Sequence, residues 1–170
     1  MDTIHLATTD SPIGGLTVAA RASKVCLVHF GPVSEYVRSA LAAWYPGASV
    51  EKGDDPGGVV SVLSRYFAGD LASLDEIEVE LHGTPFQQRV WNALRTVTAG
   101  STTSYAELAG RVGSPTAVRA VGAANGANPV AVVLPCHRII GSNGSLTGYG
   151  GGLERKRWLL DHEGVSRKLF

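Results

Sequence analysis

The run "PVAVVLPCHRII", Pro129 to Ile140, constrains this chain more than any other stretch. A segment this apolar must be buried. Yet it sets Cys136, His137 and Arg138 side by side between Leu134 and Ile139. Charged and titratable side chains are rarely buried unless they find partners. The fold must therefore supply those partners, put the groups to use, or both. The run reads as a core strand, and Pro135 makes a departure from regular strand geometry plausible just before the cysteine. Gly141, Asn143 and Gly144 follow as turn formers. The cluster thus lies near the end of a buried element, where sites are often built.

A free cysteine titrates near pH ~8.5, so only a minor fraction is thiolate at neutral pH. A nucleophilic role needs a base or a cation nearby. His137 is adjacent, but neighbours in an extended chain point to opposite faces. Contact between the two requires a turn or a bridging water. Two readings stand at this level. Cys136 is an activated nucleophile served by His137, or it is a small buried hydrophobe beside a hydrogen-bonded core histidine. Metal binding has little support: one cysteine beside one histidine lacks the paired spacing of zinc sites. No spacing gathers Cys26, His5, His29 and His82 either, and Cys26 reads as a core-strand residue.

With 44% hydrophobic and 18% charged residues, a chain of 170 residues can bury one core or two small ones. No apolar run approaches the ~20 residues of a membrane span. The start "MDTIHLATTD" lacks the basic and then apolar pattern of a secretory signal. Two cysteines make no disulfide framework, so a cytoplasmic setting is expected. The zero net charge hides an asymmetry. Residues 1–83 hold 5 Lys+Arg and 11 Asp+Glu (−6), and residues 84–170 hold 10 and 4 (+6). Acidic and basic halves suggest two modules, the basic one suited to a polyanion; chance clustering on solvated surfaces is the plain alternative.

The expected fold class is α+β, with an N-terminal domain over residues 1–83 and a C-terminal one over 84–170. "IHLATT", "LTVAA" and "KVCLVHF" read as a small antiparallel sheet. "SEYVRSALAAWY" and "GGVVSVLSRYFAG" have helical spacing, the first with Ser34 as its cap. The alternation Ile77, Val79, Leu81 reads as a strand or an extended linker. The second half is mostly helical. Thr84, Pro85 and Gln87 make a capping box on "TPFQQRVWNALRTV". Ser104 and Glu107 repeat the device, and Gly113 ends that helix. A further helix is expected from Ser114-Pro115 to Asn125-Gly126, and a last one over "LERKRWLLDHEG".

Two capped helices joined by "GRVGSP" form a helix-turn-helix pattern. Its second helix is built from Ala117, Val118, Arg119, Ala120, Val121, Gly122, Ala123 and Ala124. Major-groove reading needs several bidentate Asn, Gln or Arg groups, and one arginine is too few. Small residues instead let the helix backbone approach another surface closely. Two packed helices without nucleic acid remain the alternative.

"LPCHRIIGSNGSLTGYGGGLERKRWLLDHEG" resembles the active-site region of the O6-alkylguanine-DNA alkyltransferases, marked by Pro-Cys-His-Arg and an apolar pair. The resemblance extends upstream through "TPFQQRVWNALRTV", "TTSYAELAGRVGSP" and "AVRAVGAANGANPV", and "DSPIGGLTV" is similar to the family's opening strands. It implies irreversible, once-per-molecule transfer of an alkyl group from guanine O6, and from O4-alkylthymine, to Cys136. By the same resemblance His137 draws the thiol proton through a water and Glu163 orients that histidine. Asn128 ties the helix-turn-helix to the active-site segment, and Tyr105 eases charge on the leaving base. Arg119 fills the gap left by a flipped nucleotide, with Thr116, Ala120 and Ala124 against DNA. Tyr149, Gly150 and Ile139 line the base pocket, with the carbonyls of Cys136 and Ile139 as acceptors for the exocyclic amine. The implied partner is double-stranded DNA, bound in the minor groove without sequence preference by a monomer. No cofactor and no metal are implied, because the cysteines of the family's zinc-bearing members have no counterpart here. Alkyltransferase-like proteins, which recognise the lesion without an acceptor cysteine, are the rival binding module. Cys136 separates this chain from them. A Cys-His-Glu hydrolase and a helix-turn-helix transcription factor are weaker rivals. One lacks an oxyanion site in the sequence, the other base-reading side chains.

Overall fold

The computed structural model describes residues 2–165. They fall into two compact units. The first takes the chain up to His82 together with Pro129–Val133; the second takes Gly83–Asn128 and continues from Leu134.

In the first unit, β1 (Thr3–Thr9), β2 (Leu16–Arg21) and β3 (Lys24–Phe30) form an antiparallel meander. The short strand β4 (Ser49–Lys52) joins the free edge of β1 in parallel, giving the order β3-β2-β1-β4. The sheet is therefore mixed and not purely antiparallel. β4 leaves almost no trace in the sequence, because its four residues hold a single aliphatic side chain, Val50, which is itself exposed. β2 is central and buried from Leu16 to Ala20, so it shows no alternation of apolar and polar residues. Helix α1 (Glu35–Trp44), capped by the Ser34 side chain, lays Val37 and Leu41 on Ile4, Ala19, Cys26 and Leu27. Helix α2 (Val59–Phe67) buries Val59, Val62, Leu63 and Tyr66 at the spacing of one helical face. The segment Leu71–Glu76 forms a 3-10 turn, and Val79 beyond it makes one parallel bridge to Val25.

In the second unit, α3 (Pro85–Leu94) begins with both halves of the Thr84–Gln87 capping box and buries Val90, Trp91 and Leu94. Helix α4 (Tyr105–Arg111) starts at Ser104, whose hydroxyl accepts from the Glu107 amide. It ends in a Schellman turn. Gly113 takes φ +78°, its amide donates to the Gly110 carbonyl, and the Ser114 amide donates to the Ala109 carbonyl. Helix α5 (Val118–Gly126) starts later than the sequence suggests, at Ala117. Ser114 and Pro115 belong to the preceding turn, closed by the Ala117 amide on the Ser114 carbonyl. A two-stranded parallel ladder pairs β5 (Thr103–Ser104) with β6 (Ile139–Ile140), and α6 (Leu153–His162) closes the described chain. No helix among the described residues is long and apolar enough to cross a membrane.

The apolar run is not one strand. Its first part is held by Val28, which donates to the Pro129 carbonyl and accepts from the Ala131 amide. Two three-residue turns follow. The Val133 amide bonds the Ala131 carbonyl at 2.8 Å around Val132, whose φ is +69°. The Cys136 amide bonds the Leu134 carbonyl at 2.8 Å around Pro135, at φ −81° and ψ 64°. The second is the common inverse γ-turn; the first puts a β-branched residue in left-handed backbone, which costs about 1–3 kcal/mol. Burial of Val132, Val133 and Leu134 supports that conformation.

Candidate active site

Cys136, His137 and Arg138 form one turn of 3-10 helix, directly after the Pro135 turn. This departs from the alternation of a strand and sets all three side chains into the interior. Glu163 reaches them from the end of α6. There Gly164, at φ +81°, opens a second Schellman turn, with the Val165 amide donating to the Leu160 carbonyl. Val165 and Leu160 are buried in one cluster with Ile140, which pins the turn and so places Glu163.

Glu163, only 5% exposed, accepts a fork from Arg138: Nε donates to Oε1 and Nη2 to Oε2, both at 2.8 Å. The third arm of Arg138 donates to the Val97 carbonyl at 2.7 Å. His137 Nε2 lies 2.9 Å from Glu163 Oε2, and His137 is fully buried. Burial alone would raise the Glu163 carboxyl, but His137 and Arg138 outweigh it and hold the group well below the usual carboxylate range. Burial lowers His137 from its ordinary value, against the pull of Glu163. A neutral imidazole facing an ionised carboxylate carries its proton on Nε2 and leaves Nδ1 as an acceptor. Nδ1 has no hydrogen-bond partner among the described residues.

Cys136 is 6% exposed, and burial pushes its thiol up. Hydrogen bonding from Asn128, the charge of Lys156 and hydrogen bonding from Tyr149 oppose that rise without cancelling it. Asn128 also donates to the Leu134 carbonyl at 2.7 Å, which holds the turn before the cysteine. The Cys136 carbonyl accepts from Asn125 Nδ2 at 3.4 Å and from the Ile139 amide.

The sequence reading missed Lys156. It is completely buried, and its Nζ donates to the carbonyls of Ile139, Thr147 and Gly148 at 2.6, 2.8 and 3.3 Å. Burial pushes its ammonium down to about 8. Its position three and four residues before the buried Leu159 and Leu160 was the available signal. Tyr105, at the first position of α4, donates to the same Thr147 carbonyl at 3.1 Å. Lys156 and Tyr105 thus hold the glycine-rich loop 141–152 from two sides. Tyr149 and Gly150 belong to that loop, Tyr149 half-buried and Gly150 exposed. The Ile139 carbonyl, expected to accept from a base, already receives Lys156.

On α5 and the turn before it, Thr116, Arg119 and Ala120 are exposed. Ala124 is not. It is 3% exposed, and its carbonyl accepts from Trp91 Nε1 at 2.7 Å. Lying three residues after the buried Val121, it faces the interior and is corrected from a DNA-facing residue to a packing one. Among the described residues no group of three His, Cys, Asp or Glu side chains could hold a metal ion.

A helix-turn-helix carried in the same unit as a buried cysteine–histidine–glutamate centre defines a thiol-centred protein on a nucleic-acid-binding type of fold. Comparison with known proteins narrows the class. Residues 85–165 match the family described as 6-O-methylguanine DNA methyltransferase, DNA binding domain. A methylated-DNA--protein-cysteine methyltransferase of Mycobacterium bovis is 48% identical over 163 residues, covering 94% of this chain and 92% of its own. Among solved structures, Mycobacterium tuberculosis OGT in complex with DNA superposes with a TM-score of 0.78 at 43% identity, covering 98% and 97%. The O6-methylguanine methyltransferase of the same organism gives 0.77 at 44%, covering 94% and 92%. The chain belongs to the methylated-DNA--protein-cysteine methyltransferase family.

Proposed function

We infer that this chain is a methylated-DNA--protein-cysteine methyltransferase, a repair alkyltransferase that works once per molecule, with Cys136 as its acceptor. The observation that carries the reading is the His137–Glu163 pair beside a buried thiol, with Nδ1 of His137 open as a proton acceptor. The thiol proton passes to His137 through one water, and Glu163 stabilises the imidazolium that forms. Sulfur attacks the O-alkyl carbon, the carbon–oxygen bond breaks, and the base leaves with the electron pair. A proton then restores guanine, so a thiol and an alkylated guanine become a thioether and guanine. Tyr105 eases charge on the leaving base. Tyr149 and the backbone of Gly150 and Ile139 line its pocket, and Asn128 keeps the thiol segment in register with α5.

O6 of guanine lies inside the duplex, so the nucleotide is extruded before transfer. The exposed small residues of α5 suit close approach to the minor groove, where readout is degenerate and a sequence-blind repair protein loses nothing. Arg119 occupies the gap in the stack. The basic half of the chain supplies salt-dependent affinity for duplex DNA.

Duplex DNA carrying a radiolabelled methyl at guanine O6 tests this reading. Label moves to Cys136, at most one per chain, and Cys136→Ala takes none. Arg119→Ala loses more activity on duplex than on the free modified base. Multiple turnovers, or label transfer surviving Cys136→Ala, would refute the acceptor role; equal losses on the two substrates would remove Arg119 from extrusion.

A further inference from the structure

We propose that Arg138 is a positioning residue for alkyl transfer, fixing Glu163 as a carboxylate and thereby His137 in the Nε2–H form that can receive the thiol proton. The inference rests on the reading of Cys136 as the acceptor.

Glu163 stands in an unfavourable place for an anion. It is buried, and it caps the C-terminal end of α6, where the helix dipole is negative. A carboxyl left alone there would keep its proton. A protonated Glu163 would donate into His137 Nε2, move the imidazole proton to Nδ1, and abolish the acceptor that His137 keeps for the thiol proton. Arg138 prevents this. Its guanidinium has donors only, and two of them lie along both carboxylate oxygens at 2.8 Å. The bond from Nη1 to the Val97 carbonyl fixes the plane of the fork. The charged groups that act on His137 are Glu163, Arg138 and Lys156, and Arg138 holds both oxygens of the carboxylate that orients the imidazole. Spacing along the chain also matters. Arg138 follows His137 on the same 3-10 turn, so the base and the group that sets its tautomer move together.

The test measures single-turnover transfer from labelled duplex DNA at saturating protein, with DNA affinity measured separately. Arg138→Met and Arg138→Lys are made alone and in a Glu163→Gln background. Arg138→Met slows the transfer step by about 100-fold or more while DNA affinity stays within about twofold. Arg138→Lys, which keeps the charge and loses the fork, recovers part of the rate. Its acid limb moves to higher pH, because Glu163 then protonates more readily. In the Glu163→Gln background, Arg138→Met costs less than about threefold, since the route through the carboxylate is already gone. Equal losses in both backgrounds would overturn the proposal, as would an unmoved acid limb in Arg138→Lys. Should Arg138→Met fail to fold, the pH profile of Arg138→Lys alone decides. If the wild-type protein places no label on Cys136, the acceptor reading itself fails. If it does and the Arg138 variants match its rate, only the positioning role fails.

Discussion

Replacing Glu163 by Gln changes one atom and removes the charge on which three hydrogen bonds converge. The carboxylate receives Arg138 Nε on Oε1, and both Arg138 Nη2 and His137 Nε2 on Oε2. A glutamine can present its oxygen at only one of these two positions, so at least one of the three donors meets the NH2 instead. His137 loses the negative charge that would stabilise its imidazolium, and Arg138 is left buried without its counter-ion. Breaking a buried pair from one side costs about 3–5 kcal/mol. For a chain of this size that corresponds to a fall in Tm of roughly 6–20 °C. Transfer suffers separately, because a neutral amide does not stabilise the imidazolium that forms when His137 takes the thiol proton. Loss of general-base help is worth about 10²–10⁴-fold. The assay is single-turnover transfer of labelled methyl at a temperature where circular dichroism shows the variant folded, with duplex affinity measured alongside. Affinity stays close to wild type, because Glu163 is buried while Arg119 and Ala120, the residues of α5 proposed to meet DNA, are exposed. A variant with unchanged transfer would remove Glu163 from the mechanism, and an unchanged Tm would show that Arg138 finds another partner.

Lys156 gives a pH-dependent stability. Its folded pKa of about 8 lies below the ordinary 10.5, so between those values the unfolded chain holds a proton that the folded chain has released. Stability relative to Lys156→Met therefore rises as pH increases through that window, by up to roughly 3 kcal/mol, and is flat below it. Urea titrations of both proteins across the window would show this; a difference independent of pH or falling with it would refute the assignment. At Gly83, a methyl group would lie 2.6 Å from the ring of Trp91, which is 2% exposed and held by its bond to Ala124. Gly83→Ala should cost about 1–3 kcal/mol by urea denaturation, and an unshifted midpoint would mean that the ring can yield.

Features that local physics decides can be read from the residues alone. The Thr84–Gln87 box, the Ser34 and Ser104 caps and the Gly113 stop each satisfy backbone groups within a few residues, so they are readable without a fold. The need of Cys136, His137 and Arg138 for partners was legible for a similar reason: groups so costly to bury stand together in an apolar run. Which partners they find was decided by the tertiary structure. Arg138 meets Glu163 across 25 positions and Val97 across 41. Neither pairing follows from the nearby sequence, because it depends on how α3 and α6 are packed around one turn. The same holds for β4, whose four residues become a strand only because the edge of β1 offers hydrogen-bond partners. Lys156 reads locally as one more cation on a basic helix. Packing alone sealed it inside, where three carbonyls stand in for water. Val132 likewise looks like a strand residue until its buried surroundings fold it into a turn; at Pro135 a departure from the strand was readable, and packing decided the turn it takes. Side-chain types and spacings specify which groups need partners; only packing over long sequence separations brings those partners within 3 Å.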